Sequence, residues 1–334
     1  IYQALGNYEA ALDAQQKALV IVKQVLGPNH PNTATSYNNL ASIYKDLGDY
    51  EAALDAQKKD IAISEQVFES NHPSIASSYN NLATIYLTLG DYEATLTAQQ
   101  KALAIQEQVL EPNHPDLAQS YHNLVPVFYN QGQLDSALLY ENRAYTILRE
   151  RLPDDHPDLQ TIRNNFAFLY PKQAVQRRSV GQYQLAIEDY KQALQFSTEK
   201  GAILNQLGLT YYYAGDYAAA IENYEKSYQQ QGITQDAYLN NMGIAYAKWG
   251  KLAKAHERFM QLEALMPENG LSYRDWGLYY TLKGEPEMAL SNLEKAIQLG
   301  YDNWEWLRTE AALESLRDHP RFQALLNAAN ESDE

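Results

Sequence analysis

Large apolar, small and aromatic side chains recur along this chain at offsets of three and four, the spacing of one helix face. The stretch "YNNLASIYKDLGDYEAALDAQ" shows the unit: Leu40, Ala41, then Tyr44, a turn at Gly48, and Ala53. Aligned on the turn glycine, the pattern returns at Gly6, Gly48, Gly90, Gly132, Gly181, Gly215, Gly250 and Gly284, in steps of 42, 42, 42, 49, 34, 35 and 34 residues. The aromatic four residues before the glycine is Tyr2, Tyr44, Tyr86, Phe128, Tyr211, Tyr246 or Tyr280, and Tyr170 in the fifth copy stands seven residues further away. Three residues before the ring lies Ala41, Ala83, Val125, Ala167, Gly208, Gly243 or Gly277. Just ahead of that is a large apolar residue, such as Leu82, Phe166 or Trp276. Five residues past the glycine, Ala11, Ala53, Ala137, Ala186, Ala220, Ala255 and Ala289 leave room for close helix approach, with Thr95 in the third copy.

Each copy therefore predicts a helix, a tight turn and an antiparallel helix. Glycine ends the first helix through a left-handed backbone, and the Asp or Asn after it caps the second. One hairpin cannot bury its own apolar face, whereas stacked neighbours can, so the expected class is an all-α solenoid.

These residues resemble the tetratricopeptide repeat over nearly the whole chain, with Ala18, Ala102, Ala144, Ala193 and Ala296 in its last small position and Pro267 at its terminal proline. The resemblance implies a right-handed superhelical solenoid of helix hairpins with a concave peptide-binding groove. The longer copies, with their "NHP" links, resemble the 42-residue repeats of kinesin light chains and their bacterial relatives. The expected organisation is long units over 1–170, the first truncated, an insertion over 171–180 ("PKQAVQRRSV"), shorter units over 181–300, and capping helices with a frayed tail ("NAANESDE") over 301–334. Seven inserted residues are about two helical turns, so the insertion lengthens a first helix without rotating its face. Three residues depart from the pattern. Asp60 holds a last small position, where a charge is costly unless it faces outward, and Pro126 and Pro171 are expected to kink or stop their helices.

His30, His72, His114 and His156 also recur every 42 residues, each followed by proline. Equivalent points in successive units are two helix packings apart, so four histidines cannot share one metal shell. Proline suits the first turn of a helix. The histidines are therefore expected to pack over the preceding helix end or bond its carbonyls, and His319-Pro320 repeats the arrangement outside the repeats. A metal-binding array is the alternative.

A ladder of carboxamides runs through the first helices: Asn38 and Asn39, Asn80 and Asn81, His122 and Asn123, Asn164 and Asn165, Asn205 with Gln206, and Asn240 and Asn241. Asparagine is a poor helix former, and a carboxamide both donates to and accepts from a peptide backbone. In the family these positions line the groove and hold ligand main chain. The alternative is that they bond between adjacent helices and stabilise the stack. The same spacing gives a polar early groove at Ser42, Lys45, Thr84 and Thr88, and an apolar later one at Tyr129, Phe168, Leu209, Tyr212, Tyr213 and Ile244. Those rings pack under the superhelix in the other reading. Lys172, Arg177 and Arg178 form the one local basic cluster, either a contact for an acidic motif or a solvated helix end.

Composition narrows the function. The chain has 334 residues and a formal net charge of −16, which opposes nucleic-acid binding. It has no cysteine, so thiolate chemistry and disulfides are excluded and a cytoplasmic setting is expected. No apolar run approaches the roughly 18 residues of a membrane span. There is no phosphate loop, HExxH or GxSxG, so no catalytic residue, metal or cofactor is assigned. The chain begins at Ile1 inside an expected helix, and an upstream segment is expected. The reading is a non-enzymatic scaffold for a protein or peptide ligand, with no nucleic acid and no membrane insertion. A sensor or regulatory segment of a larger signalling or protease-linked protein is the alternative. No heptad segment supports a motor-adaptor role.

Overall fold

The computed structural model describes residues 6–332, and the regular structure among them is helical throughout. Tyr2 and the last two tail residues lie outside the described residues. The chain forms two compact units, Ile1–Leu169 and Tyr170–Glu334.

In the first unit, α1 (Tyr8–Leu26) is followed by three hairpins. They are α2 (Pro31–Asp46) with α3 (Tyr50–Val67), α4 (Pro73–Leu89) with α5 (Tyr92–Val109), and α6 (Pro115–Asn130) with α7 (Leu134–Arg149). The next helix, α8 (Pro157–Ser179), begins in this unit and ends in the second. The second unit continues with α9 (Tyr183–Phe196), then α10 (Lys200–Tyr213) with α11 (Tyr217–Gln229), α12 (Gln235–Lys248) with α13 (Leu252–Leu265), and α14 (Gly270–Lys283) with α15 (Pro286–Gln298). A short α16 (Trp304–Thr309), a 3₁₀ helix (Ala311–Leu316) and α17 (Pro320–Ser332) close the chain, so helical backbone covers most of the tail expected to fray.

The turns follow the sequence logic. Gly90 and Gly284 end their helices at φ of 74° and 80°, a region only glycine enters cheaply. Asn7, Asp49, Asp91 and Asp216 each accept a bond from the backbone N–H three residues on. The small residues let helices touch: a Cβ on Gly243 would stand 2.3 Å from the Phe259 ring. Leu40, Leu82, Leu124, Leu207, Met242 and Trp276 are all buried, as are the post-turn alanines and Thr95.

The structure departs from the sequence reading at several points. The prolines stop nothing. Helix α6 runs through Pro126 and α8 through Pro171, and α8 has 23 residues against 16 in α6, the seven-residue insertion taken up as helix. Asp60 does not face outward. It is buried, receives bonds from Gln57 (2.7 Å) and Ser64 (3.2 Å), and burial pushes its carboxyl above the usual range. The histidine rings turn forward, and it is the backbone N–H groups of His72, His114 and His156 that bond preceding carbonyls, at 2.9 Å. His30, His72, His114 and His156 accept the N–H two residues ahead through Nδ1, at 3.1–3.2 Å, and His319 does so at 3.3 Å. Each ring thus caps the helix that its proline opens, which requires the Nδ1 lone pair. His72 also packs back, stacking on Phe68 at 4.0 Å between ring centres.

Candidate functional site

The carboxamide ladder is the most regular polar feature of the first helices. In the first unit it forms three equivalent rungs. Gln57 Nε2 and Asn81 Nδ2 both reach Asn38 Oδ1, at 3.3 and 2.8 Å. One repeat on, Gln99 Nε2 donates to Asn80 Oδ1 at 2.6 Å, and Asn123 Nδ2 reaches Gln99 Oε1 at 3.4 Å. In the third rung ionisable groups replace the first two amides. His122 Nδ1 lies 3.0 Å from Glu141 Oε2, and Asn165 Nδ2 donates to Glu141 Oε1 at 2.7 Å. Glu141 is fully buried, and its hydrogen bond holds the His122 ring above the usual imidazole range against the opposing effect of burial.

Each rung joins one first helix to its own second helix and to the next first helix, so the amides do bond between neighbours. They keep outward edges as well. Asn39, Asn81 and Asn164 are exposed, and Asn81 Oδ1 accepts no bond among the described residues. Asn164 receives a bond from Gln160 of its own helix. Gln57, Gln99 and Glu141 were not singled out from the sequence, although their 42-residue spacing in the second helices was the available signal.

The second unit continues the ladder with different chemistry. Asn241 Nδ2 reaches Asn205 Oδ1 at 3.4 Å, and Asn240 donates to Asp275 Oδ2. Arg274 and Asp275 stand in the register of Asn240 and Asn241 one repeat later, so the sequence reading stopped the ladder one unit early. Asp275 is fully buried, and desolvation pushes its carboxyl up to about 7 despite the adjacent Arg274. Arg274 Nε lies 2.7 Å from Asp275 Oδ1 but out of hydrogen-bond alignment, and its guanidinium lies 4.7 Å from the centre of the Trp306 ring.

The ladder residues Asn240 and Asn241 meet Tyr212, Tyr213, Leu209 and Ile244 around one cavity of about 220 Å³. Burial drives the Tyr212 hydroxyl well above its ordinary range, and Tyr213 stays half exposed. The cavity also takes in Trp306 and Glu310, which lie outside the repeats and carry no periodic signal. In the first unit, Tyr129 and Phe168 pair with ring centres 5.2 Å apart. A second cavity of about 370 Å³ lies over His122, between Asp116 and Asp158.

The basic cluster is largely engaged within the second unit. Arg177 forks onto both oxygens of buried Asp189 at 2.9 Å, and Arg178 binds Gln206 and approaches Thr210. Lys172 is exposed. Among the described residues no three metal-binding side chains cluster, and no helix is long and apolar enough to cross a membrane.

Comparison with known proteins agrees with this architecture. The tetratricopeptide repeat profile matches residues 1–66, 74–150 and 199–268, well over half the chain, which places the chain in that family. A curated relative, photosystem I assembly protein Ycf3 of Synechococcus sp. (strain CC9605), is 32% identical over 95 residues, covering 28% of this chain and 54% of the relative. The chain thus spans about half the length of the curated relatives it matches. Among solved structures, the kinesin light chain nearly identical TPR-like repeats of Podosopora anserina are 21% identical with a TM-score of 0.36, covering 70% of this chain and 95% of that one. The C-terminal part of a TPR repeat-containing protein from Cytophaga hutchinsonii is 16% identical with a TM-score of 0.43, covering 78% and 98%.

Proposed function

We propose that this member of the tetratricopeptide repeat family is a protein-interaction scaffold that receives an extended partner segment along its first helices. The observation that carries the reading is the divided use of the ladder amides. One edge of Asn81 ties adjacent hairpins together, and the other is exposed with its oxygen unclaimed. Such an edge can accept a main-chain N–H of a guest while its own helix stays fixed. The exposed rings of Phe168 and Tyr213 offer apolar anchors beside the ladder in their respective units. The matched relatives are named for assembling a complex, a task such a surface suits. No catalytic step is part of the reading, and a cytoplasmic setting suits a chain without cysteine.

The test is titration of a partner isolated by crosslinking from the source cells against wild type and an Asn81→Ala/Asn123→Ala double variant. Binding should weaken about tenfold or more in the variant while helicity is retained, a loss of one or two hydrogen bonds per contact. Unchanged affinity would remove the amides from the interface.

A further inference from the structure

We propose that the segment after the last repeat turns one face back onto the first helices of the second unit and completes a chamber for one uncharged aromatic side chain of the partner. The inference rests on the scaffold reading above and deepens it.

The segment is two-faced. Leu307, Leu313 and Leu316 are buried in an apolar cluster with Leu290, Leu293 and Phe322, which is the ordinary work of a cap. Trp306, at the edge of that cluster, and Glu310, four residues on, also wall the cavity that α10, α12 and α14 line. A cap needs only the first face. The second reaches two hairpins back: Glu310 Oε1 contacts Lys248 Nζ across 62 residues of sequence, and the Arg274 guanidinium lies over the Trp306 ring.

Size and charge select the guest. The chamber is about 220 Å³, whereas an apolar cavity of about 150 Å³ already admits benzene, so a phenol or indole ring fits. Its charged wall groups are paired within the protein, Arg274 with Asp275 and Glu310 with Lys248. Fully buried Asp275 makes breaking its pair costly, and a charged guest would compete with one of these pairs. A neutral ring leaves both intact and gains edge and face contacts with Tyr212, Tyr213 and Trp306. The carboxamide oxygens of Asn240 and Asn241 accept no bond among the described residues, and they stand at the same cavity for a hydroxyl or a main-chain N–H.

The experiment titrates the whole chain with p-cresol, indole, acetate and guanidinium by saturation-transfer NMR. Ile244→Trp fills the chamber and Trp306→Ala removes a wall, and circular dichroism checks that each folds. The expected result is saturable binding of p-cresol and indole, weakened about tenfold or more in both variants. Absence of saturation by either ring, unchanged binding in Trp306→Ala, or equal displacement of p-cresol by acetate or guanidinium would overturn the chamber. The scaffold reading fails separately. A partner that ignores Ile244→Trp but is lost with Asn81→Ala/Asn123→Ala sinks the chamber alone, and the opposite pattern sinks the ladder alone.

Discussion

Replacing His122 by alanine should destabilise the α6–α8 region by about 1–3 kcal/mol, the cost of leaving a buried acceptor one partner short. The magnitude follows from the third rung. Glu141 is fully buried, and its carboxylate has His122 at 3.0 Å and Asn165 at 2.7 Å. Without the ring, the buried carboxyl keeps one neutral donor. The double variant His122→Asn/Glu141→Gln should cost only about 1 kcal/mol or less, because it recreates the amides of the second rung, Asn80 with Gln99, and buried ion pairs are often replaceable without loss. Acidity provides an independent check. The His122 pKa is raised on folding, mainly by Glu141, so its stabilisation is complete below about pH 6.5 and is lost as pH rises through the folded value. Repeat arrays open locally, so the assay is native-state hydrogen exchange read at α6–α8, at pH 6 and pH 8 after correction for intrinsic exchange. Wild type should lose protection between the two pH values and the double variant should not. Equal costs for the single and double variants would refute the reasoning.

Other expectations follow from single contacts. Gly243→Ala forces the Phe259 ring aside and should cost about 1–3 kcal/mol in a thermal melt, with Phe259→Leu restoring most of it. Gly232→Ala should be worse, because its Cβ would stand 1.9 Å from the Gly201 backbone, and limited proteolysis should then cut between α11 and α12. His114→Ala removes an N-cap and should cost about 1 kcal/mol, while His114→Ser should keep most of it, as compared by urea midpoints. Asp275 binds its proton more tightly when folded, so the second unit should lose stability as pH rises from about 4 through about 7. Asp275→Asn should flatten that slope in urea titrations.

The sequence by itself determined the repeat. Leu40, Ala41, Tyr44, Gly48 and Ala53 are read at helical offsets, and eight copies leave one way to bury them, so the hairpins, their left-handed turns and the Asp caps were all legible. The seven-residue insertion was legible for the same reason, since α8 simply extends by two turns. Tertiary structure decided the rest, because those outcomes depend on what lies across a helix interface. Asp60 is buried because Gln57 and Ser64 satisfy it, and nothing at its own position says so. The histidine ring turned forward to a free N–H, which is a choice between two nearby helix ends. The amides of the ladder were visible, but their partners Gln57, Gln99 and Glu141 come from second helices some 20 residues away. Trp306 and Glu310 follow no period at all. They join the ladder only because the chain folds back on itself, and long-range proximity of that kind is a property of packing that no local pattern carries.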